Sequence, residues 1–224
     1  MSAIIFDFDG LIIDTETAWY EAFKEAMNFY QADLPLSEFA KCIGTDDTAL
    51  YGYIKEKLGE SCNIDDIKKR AYSIHKIKMV EAKAREGVQE YLDEAKALGL
   101  KIGLASSSSR EWVTHFLREL ELLNYFEVIV TRDDVEKVKP APELYIKALT
   151  DLRIDSKNAI AFEDSLNGLT AAVAAGLRCI IVPNPVTETL SFEKHVLRLK
   201  SMAEKSLVDV IKHIEDQDNC MLIV

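Results

Sequence analysis

The sequence predicts an α/β fold in which a parallel sheet carries helices on both faces and a block of helices interrupts the alternation after the first strand. Two observations carry this. Short apolar runs recur at 3–6, 101–105, 128–130, 159–162 and 179–182, and helically spaced stretches separate them. Residues 33 to 82 show helical patterns and no convincing strand. Runs that are apolar along their whole length mark strands buried on both faces, as a helix-covered parallel sheet requires.

In chain order, AIIF at 3–6 is the first buried strand, and the pattern turns helical from Asp14 onward. Asp14 or Thr15 is the expected N-cap, with Trp19, Ala22, Phe23, Ala26 and Tyr30 recurring at helical spacing. Leu50, Ile54 and Leu58, stopped by Gly59, belong to the helical block. After Gly87 the alternation becomes regular. Val88, Tyr91, Leu92, Ala95 and Leu98 form an amphipathic helix closed by Gly99, which leads into KIGLA. Val113, Phe116, Leu117 and Leu120 mark the helix before VIV, and Tyr145, Ala148 and Leu149 the one before AIAF. A helix over 166–175, closed by Gly176, precedes CIIV, which Pro183 ends. The segment from about 186 onward reads as mostly helical and offers no site. The expected division is a core of 1–14 and 83–224 with a cap of 15–82, which emerges at the sheet edge where the strands end.

The chain has 224 residues, is 48% apolar and carries a formal net charge of -11. That charge disfavours nucleic acid and anionic membrane surfaces as partners, and an anionic substrate must find its cations within the site. No apolar run is long enough for a membrane span and no basic leader precedes the first strand, so the expected location is the cytoplasm. Cys42, Cys62, Cys179 and Cys220 show no C-x-x-C pairing, which argues for free thiols rather than a zinc site or disulfide scaffold.

Ligands in open α/β sheets bind beyond the carboxyl ends of the strands. The residues there are Asp7 and Asp9 after the first strand, Ser106 and Ser107 in LASSSSR, Lys139 in EKVKP, and Glu163 and Asp164 in FEDS. Each has an ordinary reading: turn formers for the aspartates, a helix cap for the serines, a surface lysine, and acids favouring a helix dipole. A second D-x-D pair, Asp216 and Asp218, sits in a polar terminal segment where solvation is the natural reading. All four ordinary readings holding together at one edge is a poorer account than a site. Gathered carboxylates repel unless a cation lies between them, and hard oxygen ligands suit Mg²⁺. An aspartate facing a phosphoryl group can attack phosphorus, and a second carboxylate two residues away can protonate the leaving oxygen and then activate water.

FDFDGLIIDTE, LASSSSR, KVKPAPELY and FEDSLNG resemble the four ordered motifs of the haloacid dehalogenase superfamily, in its branch of β-phosphoglucomutase-like sugar-phosphate phosphatases. The resemblance implies a Rossmann-like core with an inserted helical cap, and a monomer acting on a small phosphorylated metabolite with Mg²⁺. It implies that Asp7 is the nucleophile and Asp9 the general acid and base, with its backbone carbonyl on the metal. Ser106, Ser107 and Lys139 then hold phosphoryl oxygens. Asp164 becomes a metal ligand, and Glu163 a ligand or the partner behind it. Two departures stand out. Where the mutases of this branch carry a histidine and a cap arginine, rough alignment places Trp19 and Asp47. Arg85-Glu86-Gly87-Val88 replaces a frequent Pro-Gly-Val at the cap exit, a loss of proline expected to loosen the hinge. The leading expectation is a phosphatase. A phosphosugar mutase and a non-catalytic phosphometabolite-binding protein are the alternatives, and a true dehalogenase is disfavoured because halide leaves without the proton that Asp9 would supply.

Overall fold

The computed structural model describes residues 1–40, 43 and 48–221. Six parallel strands form one sheet: β1 (Ala3–Phe6), β2 (Lys101–Ala105), β3 (Val128–Val130), β4 (Ala159–Glu163), β5 (Arg178–Ile181) and β6 (Leu197–Arg198). Their order is β3-β2-β1-β4-β5-β6, with Ile4 level with Ile102 on one side and Ile160 on the other. The order runs outward in both directions from β1, so the crevice beyond the end of β1 lies where the connections diverge. Ligands of open α/β sheets bind at such a point.

The sixth strand departs from the sequence reading. It is two residues long, too short to show a pattern of its own. Flanking bonds from Val196 N–H to the Cys179 carbonyl and from Leu199 N–H to the Ile181 carbonyl, both 2.9 Å, hold it against β5. Of the segment after 186, only α9 (Leu207–Met221) is a helix of length.

Alternation along β1 divides the core. Ile4 and Phe6 pack on one face with Leu92 of α5 (Val88–Ala97) and Val113 of α6 (Arg110–Glu119). Ala3 and Ile5 pack on the other with Tyr145 of α7 (Glu143–Leu152) and Ala171 of α8 (Leu166–Ala174). Helices therefore cover both faces. Each such fully buried aliphatic or aromatic side chain contributes on the order of 1.5–3 kcal/mol.

Between β1 and β2 lie α1 (Thr15–Asn28), α2 (Leu36–Phe39), α3 (Thr48–Leu58) and α4 (Ile64–Lys78). They share a hydrophobic cluster of their own, including Ala22, Phe23, Met27, Ile54 and Ile67. Asp14 is the N-cap of α1, accepting from the Thr17 N–H at 3.0 Å. Tyr30, read above as continuing the helical spacing, lies past the end of α1 and is 39% exposed, and Met27 is buried. Ile13 and Ala84, on the two connections to this helical block, pair in an antiparallel bridge. Arg85 fastens the exit rather than leaving it loose. Its guanidinium donates to the carbonyls of Gly10, Val182 (3.1 Å) and Pro183 (2.6 Å), which ties the connection to the loops after β1 and β5. No helix among the described residues is long and apolar enough to cross a membrane.

Candidate active site

The fold brings the strand-end residues singled out in the sequence together: Asp7, Asp9, Ser107, Lys139 and Asp164 line one crevice, and Ser106 and Glu163 are buried beside it. Asp7 follows β1 directly, and its N–H continues the ladder to the Phe162 carbonyl at 3.0 Å. Its carboxylate accepts from the Lys139 ammonium, which also donates to Glu163 Oε1 at 2.7 Å. The Lys139 side chain is only 5% exposed, so the surface-lysine reading fails. Burial alone would lower its pKa, but Asp7 and Glu163 outweigh that and hold the ammonium above its usual range.

Glu163 is fully occupied as an acceptor. Oε1 also takes the Tyr145 hydroxyl at 2.5 Å, and Oε2 takes the Asp164 N–H and the Ser165 hydroxyl, both at 3.3 Å. It holds Lys139 rather than reaching out itself. Gly168 exists for this side chain: a Cβ there would lie 1.9 Å from the Glu163 carboxylate. Gly10, at φ +80, does the same for Asp164, whose Oδ2 a Cβ would meet at 2.1 Å. The glycines of DFDG and FEDSLNG thus make room for carboxylates.

Asp164 is buried, and Asn184 donates to its Oδ2 at 2.7 Å. The Asn184 carbonyl oxygen accepts from the N–H groups of Val186 and Thr187, which orients the amide nitrogen toward Asp164. The sequence reading missed Asn184 although it lies just beyond β5, at the edge that supplied the other site residues; Pro183 beside it read only as the end of that strand. Asp164 Oδ1 is buried without a partner, a costly state for a carboxylate unless something else binds it.

Asp7, Glu163 and Asp164 bring one carboxylate oxygen each within 4.8 Å of one another. Burial first, then repulsion from Glu163, pushes the Asp7 pKa up to about 7 against the pull of Lys139. Burial and the charges of Asp7 and Glu163 push Asp164 well up too. A buried set of hard oxygens with one orphaned lone-pair site suits a divalent cation.

A further consequence is testable. Cation binding needs these groups ionised, so the apparent affinity for Mg²⁺ should fall about tenfold per pH unit below pH 7 for each proton displaced. The linkage sign agrees: a carboxyl whose folded pKa is raised weakens the cation-free protein as pH rises through that value. The increase in melting temperature given by Mg²⁺ should therefore be larger at about pH 8 than at about pH 6. Melting curves with and without the ion would show it, and an increment independent of pH would place the ion elsewhere.

Asp9 is held apart from that cluster. Its Oδ2 accepts from Ser108 at 2.6 Å and from Ser106 at 3.4 Å, and its Oδ1 accepts from the Trp112 indole at 2.9 Å. Ser106 is buried at the end of β2, and Ser107 lines the crevice. Ser109 caps α6 by accepting from the Trp112 N–H, so the helix-cap reading applies to the last serine of the run and leaves Ser106 and Ser107 without that role. The crevice encloses about 500 Å³ between Asp7, Asp9, Ser107, Lys139 and Asp164, with Trp19 of α1 over it. A second cavity of about 530 Å³, lined by Tyr72, His75 and Trp112, shares Asp9, Trp19 and Ser108 with the first. Trp19 stacks on His75 with ring centroids 3.7 Å apart. Asp47 lies outside the described residues.

The fold and this arrangement are those of an α/β protein with an acidic, lysine-paired crevice, and comparison with known proteins gives its class, a hydrolase, and its family. Residues 4–182 match the family model for haloacid dehalogenase-like hydrolases. The chain belongs to that family, and is close to its β-phosphoglucomutase and sugar-phosphate phosphatase members. It is 47% identical over 219 residues to "Putative phosphatase YhcW" of Bacillus subtilis, covering 97% of this chain and 100% of the relative. It is 30% identical over 218 residues to "Phosphorylated carbohydrates phosphatase" of Thermotoga maritima, covering 96% and 100%. A crystal structure of CbbY from Rhodobacter sphaeroides in complex with phosphate matches with a TM-score of 0.73 at 30% identity, over 93% of this chain and 98% of that one. A variant of CbbY has also been crystallised with xylulose-(1,5)bisphosphate.

Proposed function

We propose that this chain is a Mg²⁺-dependent phosphatase that hydrolyses a small phosphorylated metabolite, a sugar phosphate by preference, through an aspartyl phosphate on Asp7. The observation that carries the reading is the pairing of Asp7 with the buried Lys139 beside the orphaned Asp164 Oδ1. A nucleophile, a cation for phosphoryl oxygens and a buried carboxylate oxygen suited to a metal stand together. The Asp7 and Asp164 carboxylates, with the Asp9 backbone carbonyl, would hold Mg²⁺, whose charge offsets that of the phosphoryl group.

Lys139 and the Ser106 and Ser107 loop bind the phosphoryl oxygens. An Asp7 oxygen attacks phosphorus as the bond to the leaving oxygen breaks, and Asp9 gives its proton to that oxygen. Asp9 then takes a proton from water, whose oxygen attacks phosphorus, releasing phosphate and restoring Asp7. Asp9 stands at the meeting of the two cavities, a suitable place for a group that must reach the bond between phosphorus and the leaving alcohol.

The test is a panel of phosphorylated metabolites with Mg²⁺, scored for free phosphate, with β-glucose 1-phosphate also scored for isomerisation. Phosphate release that stops with excess EDTA is expected. Turnover undiminished by EDTA would sink the mechanism, and rapid glucose 6-phosphate formation with negligible free phosphate would make the chain a mutase.

A further inference from the structure

Asp9 is a short side chain with two free torsions, and an acid must present one oxygen to one place. Ser108 takes Oδ2, and the indole of Trp112, on the first turn of α6, takes Oδ1. The indole is itself fixed. Phe116 meets it edge to face at 4.6 Å, and His75 of α4 stacks on it at 5.9 Å, with Trp19 of α1 on the far side of His75. Burial pushes the His75 imidazole down to about 4, so a neutral ring fills this stack and brings no cation near Asp9.

We propose that Trp112 is a positioning residue for the reaction above, its indole N–H setting the Asp9 carboxyl where the two cavities meet. The inference rests on the phosphatase reading and adds a residue that no strand-end motif contains. A tryptophan that only fills space would matter equally for every substrate. One that aims the acid matters most where the leaving group needs a proton.

Trp112→Phe keeps a ring against Phe116 and removes the N–H. On β-glycerophosphate, an alkyl ester, kcat should fall about tenfold with KM little changed, while on p-nitrophenyl phosphate kcat should fall by no more than about twofold. Trp112→His, which restores a ring N–H, should recover part of the loss. Equal losses on both esters, or an unchanged kcat on the alkyl ester, would overturn the proposal. A second measurement needs no turnover. The sequence has two tryptophans, Trp19 and Trp112, so in Trp19→Phe the emission comes from Trp112 alone. Adding Asp9→Ala should shift that emission, and an identical spectrum would refute the contact. If the wild type released no phosphate from these esters or from any metabolite of the panel, the phosphatase reading would fall while the emission result still decided the contact.

Discussion

Asp7→Asn should lower phosphate release at least about a thousandfold while the protein stays folded. The carboxylate oxygen is the proposed attacking atom, and an amide of nearly the same shape cannot replace it as a nucleophile. The fold should not suffer, because Asp7 ionises only against resistance. Burial and Glu163 raise its pKa to about 7, so above that pH the charged form is a load on the cation-free protein. The neutral amide removes that load, at the cost of one of the two carboxylate partners of Lys139. Without Mg²⁺ above neutral pH, the variant should therefore melt no lower than the wild type. Circular dichroism melts beside a phosphate-release assay would check both halves. A folded variant with near wild-type turnover would remove Asp7 as the nucleophile.

Most of this site was legible because strand ends are. An apolar run such as AIAF at 159–162 announces a buried strand, and chemistry-bearing residues just beyond it need little more than the topology to be placed together. What the sequence hid was reach. Asn184 follows a proline that read only as the end of a strand, and only the path of the chain after β5 carries its amide to Asp164. Trp112 sits on the apolar side of a helix pattern, where an indole reads as packing, and nothing in its spacing points to Asp9. Arg85 read as the loss of a proline, yet its guanidinium gathers carbonyls from two loops that lie 75 residues before it and 98 residues after it in the chain. Tyr30 failed for a different reason. The apolar spacing continued two residues past the true end of α1, where the chain leaves the ring partly exposed.

Lys139→Met should be damaging twice over, and the two harms can be separated. Glu163 is 0% exposed and Asp7 6%, so removing the ammonium leaves buried carboxylates without the cation that offsets them. Breaking a buried pair from one side costs on the order of 3–5 kcal/mol, because the remaining charge stays buried. The cation-free variant should melt well below the wild type. Turnover should fall by about two to three orders of magnitude as well, the scale of losing one preorganised group that stabilises developing charge. Adding Glu163→Gln distinguishes these effects. The amide removes one buried charge and still offers its oxygen to the Tyr145 hydroxyl, so most of the lost stability should return. Turnover should not return, because the phosphoryl oxygens still lack their ammonium. Comparing the melting temperature and kcat of the two single variants and the double variant forms a cycle in which the structural and chemical parts separate. Recovery of turnover in the double variant would mean that Lys139 serves only to balance Glu163. A Lys139→Met protein as stable as the wild type would mean that the ion pair at the end of β1 carries no such strain.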